Sequence, residues 1–227
     1  MIALTYRILF RICNIFGISY SFASDGEDYI LLKYLRGIKN GCYIDIGSHK
    51  PIKHSVTFYL YLLGWKGVCV DPLPFLKRSY KVLRNKDLFI NAGVQGGLDK
   101  NEQQKMSFFF YKKNPDNSTF DKKSVDSLIE LYGRYPSSEY SVPVISVSKL
   151  LDEFKFNYNS DGTIHLLNID TEGGELQILE DLFAEKCFPW FICVEELGYI
   201  AAELGDSKIN NFLEANKYLL VSKTFLS

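Results

Sequence analysis

Several short apolar runs, each followed or ended by an acidic or amide side chain, constrain the fold of this chain more than any other feature. Such runs occupy residues 42–47, 68–71, 88–92, 164–169 and 190–194, and segments of helical periodicity separate most of them. The polar residues at their ends are Asp45, Asp71, Asn91, Asp170 and Glu195. This alternation predicts an α/β protein with a doubly wound, mostly parallel sheet and flanking helices. Such a sheet binds its ligands beyond the carboxyl ends of its strands, where these polar residues would meet.

The elements around these runs are less regular. Ser24-Asp25-Gly26-Glu27 has the spacing of a capping box and predicts a helix over residues 25–36. An insertion follows the third run. It is predicted to contain a hairpin strand at 106–111, a helix at 121–133, a loop at 136–143 and a strand at 144–147. At the end of the chain, the pattern predicts a helix over 207–216 and a last strand over 218–221.

Composition narrows the class of protein. The chain has 227 residues, of which 47% are apolar and 23% charged, with a net charge of −1. These values suit one domain with a sizeable core and exclude intrinsic disorder. The pI of about 6.3 and the lack of a Lys/Arg block argue against a nucleic-acid partner.

The five cysteines form no CxxC pair and have no metal-type spacing with the three histidines. A disulfide framework and a zinc site are therefore not expected. Cys42, Cys69 and Cys193 lie in strand-like runs, so we interpret them as small buried side chains in a reducing compartment. This interpretation predicts a cytoplasmic protein.

Residues 1–23 are predicted to form a separate amphipathic helix with Leu4, Ile8, Ile12 and Ile15 on one side. Arg7 and Arg11 interrupt the apolar stretch, so it fits neither a signal peptide nor a membrane span. We expect this helix to pack on the domain. Binding to a membrane surface is the less favoured alternative.

The loop after the first strand lacks the glycine fingerprint of dinucleotide-binding folds. In residues 47–52 (GSHKPI) a histidine stands where the second glycine is required, so pyrophosphate has no cradle. Asp71 ends the second strand, where a carboxylate can accept hydrogen bonds from ribose hydroxyls. Acidic groups at both strand ends suit a ligand with an ammonium group and an adenosine but no phosphate, such as S-adenosylmethionine. The alternative is that Asp45 and Asp71 only cap the following helices.

Five segments carry a resemblance to a known family. They are residues 24–28 (SDGED), 43–51 (YIDIGSHKP), 54–57 (HSVT), 64–67 (GWKG) and 167–175 (LNIDTEGGE). Their order and spacing resemble the FkbM family of methyltransferases over nearly the whole chain. Asn168 departs from the pattern, because a lysine is common at that position.

The resemblance implies a Rossmann-like class I methyltransferase domain over residues 24–227. It also implies transfer of a methyl group from S-adenosylmethionine to a hydroxyl of a sugar or another small metabolite. Class I sheets usually end in an antiparallel hairpin, and few residues follow position 221. The final strand is therefore expected to be short or missing. The sheet would then have an uncovered edge open to another chain, or the chain is truncated there.

The cofactor residues follow from the strand ends together with the resemblance. Asp45 is expected near the amino-acid end of the cofactor, the Gly47-Ser48 backbone against its carboxylate, and Asp71 on the ribose diol. Asn91 lies at the same edge. No metal is expected to be needed. A divalent ion held by Asp170, Glu172, Glu195 and Glu196 is the less favoured alternative.

Asp170 and Glu172 are predicted to form the acceptor side, with Asp170 orienting the hydroxyl and Glu172 binding it or accepting its proton, or with these roles exchanged. His49 and His54 flank the first cofactor loop and are candidate bases. Either histidine can instead cap a helix or face solvent.

Two other functions fit the same sheet class. A nucleotide-dependent oxidoreductase is disfavoured by the failed glycine fingerprint. A non-catalytic cofactor-binding or interaction domain is disfavoured by the presence of Asp45, Asp71, Asp170 and Glu172 together.

Overall fold

The computed structural model describes residues 5, 6, 8, 15, 20–100, 104–114, 117–158, 161–171, 173–196 and 207–224. Most of the predicted N-terminal helix thus lies outside the described residues. Ile8 and Ile15 are 52% and 79% exposed, so these two side chains are not buried as the predicted packing on the domain requires. Tyr6 makes a contact instead, with its ring centroid 5.7 Å from that of Phe58. Within the described ranges, no helix is long and apolar enough to cross a membrane.

Strands and helices alternate along most of the chain. The strands are β1 (Cys42–Ile46), β2 (Lys66–Val70), β3 (Leu88–Ile90), β4 (Gly93–Gln95), β5 (Gln104–Phe110), β6 (Ser138–Ser146), β7 (Leu166–Ile169) and β8 (Phe191–Val194). The helices are α1 (Glu27–Leu35), α2 (Phe58–Leu62), α3 (Leu76–Leu83), α4 (Lys122–Tyr132), α5 (Val147–Asn157), α6 (Glu175–Ala184) and α7 (Lys208–Ala215). Each of the five apolar runs therefore forms a strand, as predicted.

These five strands form one parallel sheet in the order β3-β2-β1-β7-β8. Ile46 of β1 lies opposite Val70 of β2 on one side and Ile169 of β7 on the other. The direction of strand addition reverses beside β1, and this switch point is where such sheets bind ligands. The predicted doubly wound, mostly parallel α/β class is confirmed, and β7 lies next to β1 as expected for the strand that Asp170 follows.

Helices cover both faces of this sheet. On one face, α5 and α6 contribute Leu150, Phe154 and Leu179 to a buried cluster with Ile44 and Val68. On the other face, side chains of α1, α2 and α3 pack on alternate residues of the same strands. Cys42, Cys69 and Cys187 are buried within these two clusters, which confirms for Cys42 and Cys69 the interpretation as small core residues, whereas Cys193 is half-buried.

A second sheet has the order β4-β6-β5. Residues of β4 and β5 line a cavity at the carboxyl ends of the parallel strands. The prediction of a loop at 136–143 was wrong, because most of that segment belongs to β6. Most of its residues up to Pro143 are exposed, and Ser138, Glu139 and Ser141 are polar, so the segment lacks the continuous apolar run of the central strands. Pairing with β5, which sets Phe108 opposite Tyr140, extends it into a strand.

Helix α1 begins without the predicted capping box. Its N-cap is Gly26 in a left-handed conformation (φ 85°) with no side-chain cap. The Ser24 hydroxyl lies 3.0 Å from His54 Nδ1 instead, and Glu27 accepts a hydrogen bond from the backbone N–H of Asp25. Ser24 is therefore drawn toward the loop that follows β1.

The predicted strand at 218–221 is also wrong, because these residues form no strand and pair with no other strand of the described chain. Tyr218 is anchored by a hydrogen bond to the carbonyl of Pro189, and the following side chains are more than half exposed. β8 is consequently the edge of the five-stranded sheet among the described residues. A groove of about 460 Å³ runs along it.

Candidate active site

Four carboxyl groups lie at or beside the carboxyl ends of the parallel strands. Asp45 is in β1, and Asp71, Asp170 and Glu195 follow β2, β7 and β8 directly. Two cavities open there. The Asp71 cavity has a volume of about 130 Å³, and the Asp45 cavity, which Glu195 also lines, has about 60 Å³. Gly47 and Asp170 line both cavities, which are therefore adjoining parts of one cleft.

Asp71 is held in place by two backbone N–H groups. Its Oδ2 accepts a hydrogen bond from His49 and its Oδ1 accepts one from Leu73, each at 2.9 Å. Burial raises the pKa of Asp71 to about 7, although these hydrogen bonds oppose the rise. Each carboxylate oxygen can accept a further hydrogen bond. The group can therefore bind a pair of hydroxyls in its cavity.

His49 and Asn91 both support Asp71. His49 lines the Asp71 cavity, has a left-handed backbone (φ 40°) and donates its N–H to the carboxylate. Asn91 Nδ2 donates to the Asp71 carbonyl at 2.9 Å, and Asn91 is not among the lining residues of either cavity. A direct contact of Asn91 with a cofactor stays a prediction.

Gly47 joins the two cavities. A Cβ at this position would lie 1.6 Å from the carbonyl oxygen of Asp170, and φ is +79°, so only glycine fits. The N–H groups of Gly47 and Ser48 both donate to the carbonyl of Val70, at 2.9 and 3.1 Å. A ligand carboxylate placed against this backbone, as predicted, would find these two donors already engaged.

Asp45 is only 1% exposed, and both of its oxygens accept hydrogen bonds. Thr57 donates its hydroxyl to Oδ2, and Asn168 donates its amide to Oδ1 at 2.9 Å. Burial raises the pKa of Asp45, while the charge of Arg84 and the two hydrogen bonds oppose the rise. Asn168 stands where the resemblance leads us to expect lysine, so a neutral side chain donates to this carboxyl.

Ser48 provides an unsatisfied polar group. Its side chain is 4% exposed, it lines the Asp45 cavity, and its hydroxyl has no hydrogen-bond partner among the described residues. A buried hydroxyl without a partner costs about 1–3 kcal/mol. The site therefore favours a ligand with a polar group at this position.

Asp170 and Glu195 form a carboxyl pair across β7 and β8. The Glu195 N–H donates to the Ile169 carbonyl at 3.0 Å, which sets the two side chains next to each other. Desolvation by the surrounding protein atoms raises the pKa of Asp170, and the hydrogen bond and the negative charge of Glu195 raise it further. Asp170 is open to water in the cleft, whereas Glu195 is buried, so desolvation of Asp170 is incomplete. The direction of the shift favours one proton shared by the pair.

The turn between β7 and α6 is organised by Glu175. One oxygen of this buried carboxylate accepts hydrogen bonds from the Thr171 hydroxyl at 2.7 Å and from the Gly173 N–H at 2.9 Å. Glu175 is also the first residue of α6, where a negative charge is favourable next to the helix N-terminus. Glu172, the predicted acceptor-side carboxylate, lies outside the described residues, so its role stays a prediction.

The two histidines lie in different cavities. His54 is exposed and lines the Asp45 cavity, while His49 lines the Asp71 cavity. His54 Nδ1 is 3.0 Å from the Ser24 hydroxyl. The two histidines lie on one loop, as the sequence indicates, but they line different cavities.

The described residues contain no group of three or more His, Cys, Asp or Glu side chains arranged to hold a metal ion. Glu196, a candidate ligand in the less favoured metal hypothesis, accepts a hydrogen bond from Ser207 at 2.6 Å. The independence from metal stays a prediction.

Thr57 and Arg84 belong to the site, although sequence reasoning assigned them no role there. Thr57 lies in the HSVT segment of the resemblance, which was a usable signal. Arg84 follows α3 and reaches Thr57 at 2.9 Å from the far side. Nothing in the local sequence distinguishes it from a solvated helix-end arginine.

A parallel sheet with its acidic cleft at the switch point defines a Rossmann-like α/β fold. The family model described as "Methyltransferase FkbM domain" matches residues 45–220. The chain therefore belongs to the FkbM methyltransferase family, and membership supports a methyltransferase function. No curated protein and no solved structure matches the chain significantly.

Proposed function

We propose that this protein is an S-adenosylmethionine-dependent O-methyltransferase that acts on a hydroxyl of a sugar or another small metabolite. The observation that carries this proposal is the division of the cleft into two cavities that meet at Gly47 and Asp170. One offers a diol-binding carboxylate, Asp71, and the other offers Asp45 with the unpartnered Ser48 hydroxyl.

These residues fit the proposed cofactor. Asp71 would take the ribose hydroxyls, and Asp45 would face the ammonium group, because a buried carboxylate favours a nearby cation. The Ser48 hydroxyl would donate to the carboxylate of the methionine portion. When bound, S-adenosylmethionine supplies a methyl group on a positively charged sulfur, ready for transfer to an acceptor oxygen.

Asp170 would accept the proton of the acceptor hydroxyl. It borders both cavities and is open to the cleft, so an acceptor can reach it. Its elevated pKa makes it a stronger base than an ordinary carboxylate once the proton shared with Glu195 has left. Glu172 remains the second candidate for this role, and His49 and His54 are the alternatives.

The described lining favours an acceptor without phosphate or carboxylate groups near the reacting hydroxyl. Among the described residues, neither cavity is lined by lysine or arginine. Phe108 and Phe120 line the Asp71 cavity and offer flat apolar surfaces for an adenine or a sugar ring. A saccharide or a similar neutral metabolite with a free hydroxyl meets these requirements.

The alternative of a dinucleotide-dependent oxidoreductase receives no support from the first loop. β1 ends at Ile46, and the next helix begins only at Phe58. No helix N-terminus therefore directly follows the glycine turn, where pyrophosphate binds in dinucleotide folds. A non-catalytic cofactor-binding domain is the other alternative. A cytoplasmic location, and any self-association or contact with a membrane surface, stay predictions.

The decisive experiment is titration calorimetry with S-adenosylmethionine, its demethylated product and NADH. We expect the first two to bind and NADH not to bind. Asp71→Ala should weaken binding by about 1.5–3 kcal/mol, since hydrogen bonds with a charged partner are lost. Asp152→Ala, which changes an exposed carboxylate of α5, is the matched control.

Transfer of labelled methyl groups to a panel of neutral glycosides would then separate an enzyme from a binding domain. Unchanged affinity in a folded Asp71→Ala protein would contradict the cofactor assignment. Cofactor binding without transfer to any hydroxyl compound would favour the non-catalytic alternative.

A further inference from the structure

A buried arginine, Arg84, is linked by hydrogen bonds to the part of the cleft in which we place the cofactor. Arg84 and Thr57 are both completely buried, and Asp45 is 1% exposed. Arg84 Nη2 donates to the Thr57 hydroxyl at 2.9 Å, and this hydroxyl contacts Asp45 Oδ2. The three side chains form a continuous chain from the protein interior to the Asp45 cavity.

The direction of each hydrogen bond in this chain is determined by chemistry. A guanidinium group has only donors, so the Thr57 oxygen must accept from Arg84. A hydroxyl has a single proton, and the proton of Thr57 is then available for Asp45. Asn168 donates to the other oxygen of Asp45 through its amide. Both oxygens of Asp45 are therefore used as acceptors, which is the arrangement of an ionised carboxylate.

Arg84 is itself held firmly. Its Nε donates to Asp87 at 2.6 Å, and its Nη2 also donates to the Tyr43 hydroxyl at 2.8 Å. The rings of Tyr43, Tyr61 and Tyr80 lie 5.4–5.5 Å from its guanidinium carbon and shield it from water. A cation in this setting acts through a low dielectric, so its influence on nearby carboxylates is strong.

We propose that Arg84 is a positioning residue of the cofactor site, which orients the Thr57 hydroxyl toward Asp45 and thereby keeps this buried carboxylate ionised for a cationic ligand group. The inference rests on the proposed function, in that it takes Asp45 as the partner of the cofactor ammonium group. It adds a role for two residues that do not touch the cofactor.

Other groups around Asp45 also affect its titration. Asp71 from the end of β2 and Asp170 from the end of β7 oppose its ionisation by their charge, and Arg84 favours it. Titratable groups of the remaining neighbours are Cys69, Tyr80, Glu27, His54 and Glu195. Removal of the Thr57 hydroxyl takes one acceptor from Arg84 and the hydrogen bond from Asp45 Oδ2, and it leaves all of these titratable side chains in place. A change in the titration of Asp45 can therefore be assigned to the loss of this hydroxyl.

The test is a carbon-13 NMR titration of the Asp45 carboxyl, which requires no cofactor. Thr57→Val removes the hydroxyl at nearly constant volume, and Thr57→Ser retains it. Ser55→Ala is the matched control, because the Ser55 hydroxyl also accepts a hydrogen bond from Arg84 but, among the described residues, makes none to Asp45. We expect the titration midpoint of Asp45 to rise by about one pH unit or more in Thr57→Val. It should stay near the wild-type value in the other two variants.

Cofactor calorimetry across pH provides the second measurement. At a pH one unit below the new midpoint, the affinity of Thr57→Val for S-adenosylmethionine should be about fivefold lower than that of the wild-type protein, and it should recover as the pH rises past this midpoint. A merely structural defect would lower the affinity equally at all pH values, and that result would overturn the inference. A titration midpoint of Asp45 in Thr57→Val equal to that of the wild-type protein would also overturn the inference.

The wild-type protein alone also tests the inference, should Thr57→Val fail to fold. Asp45 should be ionised at pH 7 despite its burial, and a protonated Asp45 at this pH would overturn the role of Arg84. If the wild-type protein does not bind S-adenosylmethionine, the proposed function fails. The carboxyl titration then still decides whether the Arg84 network holds Asp45 ionised.

Discussion

The backbone of Gly47 packs directly against the carbonyl oxygen of Asp170, with space for hydrogen but not for a methyl group. This contact joins the ends of β1 and β7 at the point shared by both cavities. It explains in physical terms why a glycine follows the first strand even though the chain lacks the glycine-rich fingerprint of dinucleotide folds.

Gly47→Ala should therefore damage both stability and cofactor binding. The Cβ would meet the Asp170 backbone at 1.6 Å, and the left-handed φ of +79° adds strain. We expect a loss of about 2 kcal/mol or more in the free energy of unfolding, measured by urea denaturation. Gly97→Ala is the control, since Gly97 has a similar φ of +75° but open space around it. Equal losses in the two variants would show that backbone strain alone, without the contact to Asp170, determines the result.

Cofactor affinity should depend on pH through Asp71. Because burial raises the pKa of Asp71 to about 7, this carboxyl gains a proton as the pH falls below neutral. The protonated form accepts hydrogen bonds less well, so the affinity for S-adenosylmethionine should decrease between pH 8 and about pH 6. Calorimetry at several pH values measures this. In Asp71→Asn the affinity should be weaker, and this portion of its pH dependence should disappear.

The contribution of Asp71 to the stability of the ligand-free protein should decrease as the pH rises, whereas its contribution to cofactor affinity should increase. The pKa of Asp71 is higher in the folded protein than its ordinary value of 3.8, so the folded state holds this proton more tightly. Its contribution is full below about pH 4 and is lost as the pH rises through about 7. The free energy of unfolding should be measured at pH 4.5 and pH 7.5. Its decrease between these pH values should be smaller in Asp71→Asn than in the wild-type protein by roughly 2–4 kcal/mol. Identical pH dependence in both proteins would contradict the raised pKa.

Methyl transfer should increase toward alkaline pH as the Asp170–Glu195 pair loses its shared proton. Asp170→Asn should lower the rate by about 10²-fold or more with little effect on cofactor affinity, the usual result of removing a positioned base. Glu195→Gln removes a negative charge that raises the pKa of Asp170, so the alkaline rise should move to lower pH. Glu180→Gln changes an exposed carboxylate on α6 and is the control.

Near wild-type turnover in Asp170→Asn would remove Asp170 as the base. The corresponding comparison of Glu172→Gln, His49→Ala and His54→Ala would then identify which other candidate accepts the proton. An unshifted pH profile in Glu195→Gln would show that the carboxyl pair does not govern the reaction.

The parallel sheet and the position of its acidic edge could be predicted from the sequence. A continuous apolar run such as 68–70 is stable only when both of its faces are buried, and helices between such runs require parallel pairing. Once these two conditions hold, the polar residues after the runs must collect at one edge. Asp45, Asp71, Asp170 and Glu195 therefore lie at the edge of the sheet that the sequence predicts.

Elements without such a local pattern depended on tertiary contacts. β6 is a half-exposed strand that exists through its pairing with β5. Residues 218–221 have strand-like composition, but no described strand pairs with them. Ser24 failed as a helix cap because it lies against His54. In each case, the competing partner is distant in sequence, so propensity and periodicity contain no information about it.

The same reason limits what the sequence revealed about the site. It identified the carboxylates, because strand ends can be read locally. Only the tertiary structure showed that Asn168 and Thr57 hold Asp45, that Arg84 directs Thr57, and that Asp170 shares its environment with Glu195. Hydrogen-bond direction and pKa depend on which groups meet in space and on how much water they lose. The fold alone determines both of these quantities.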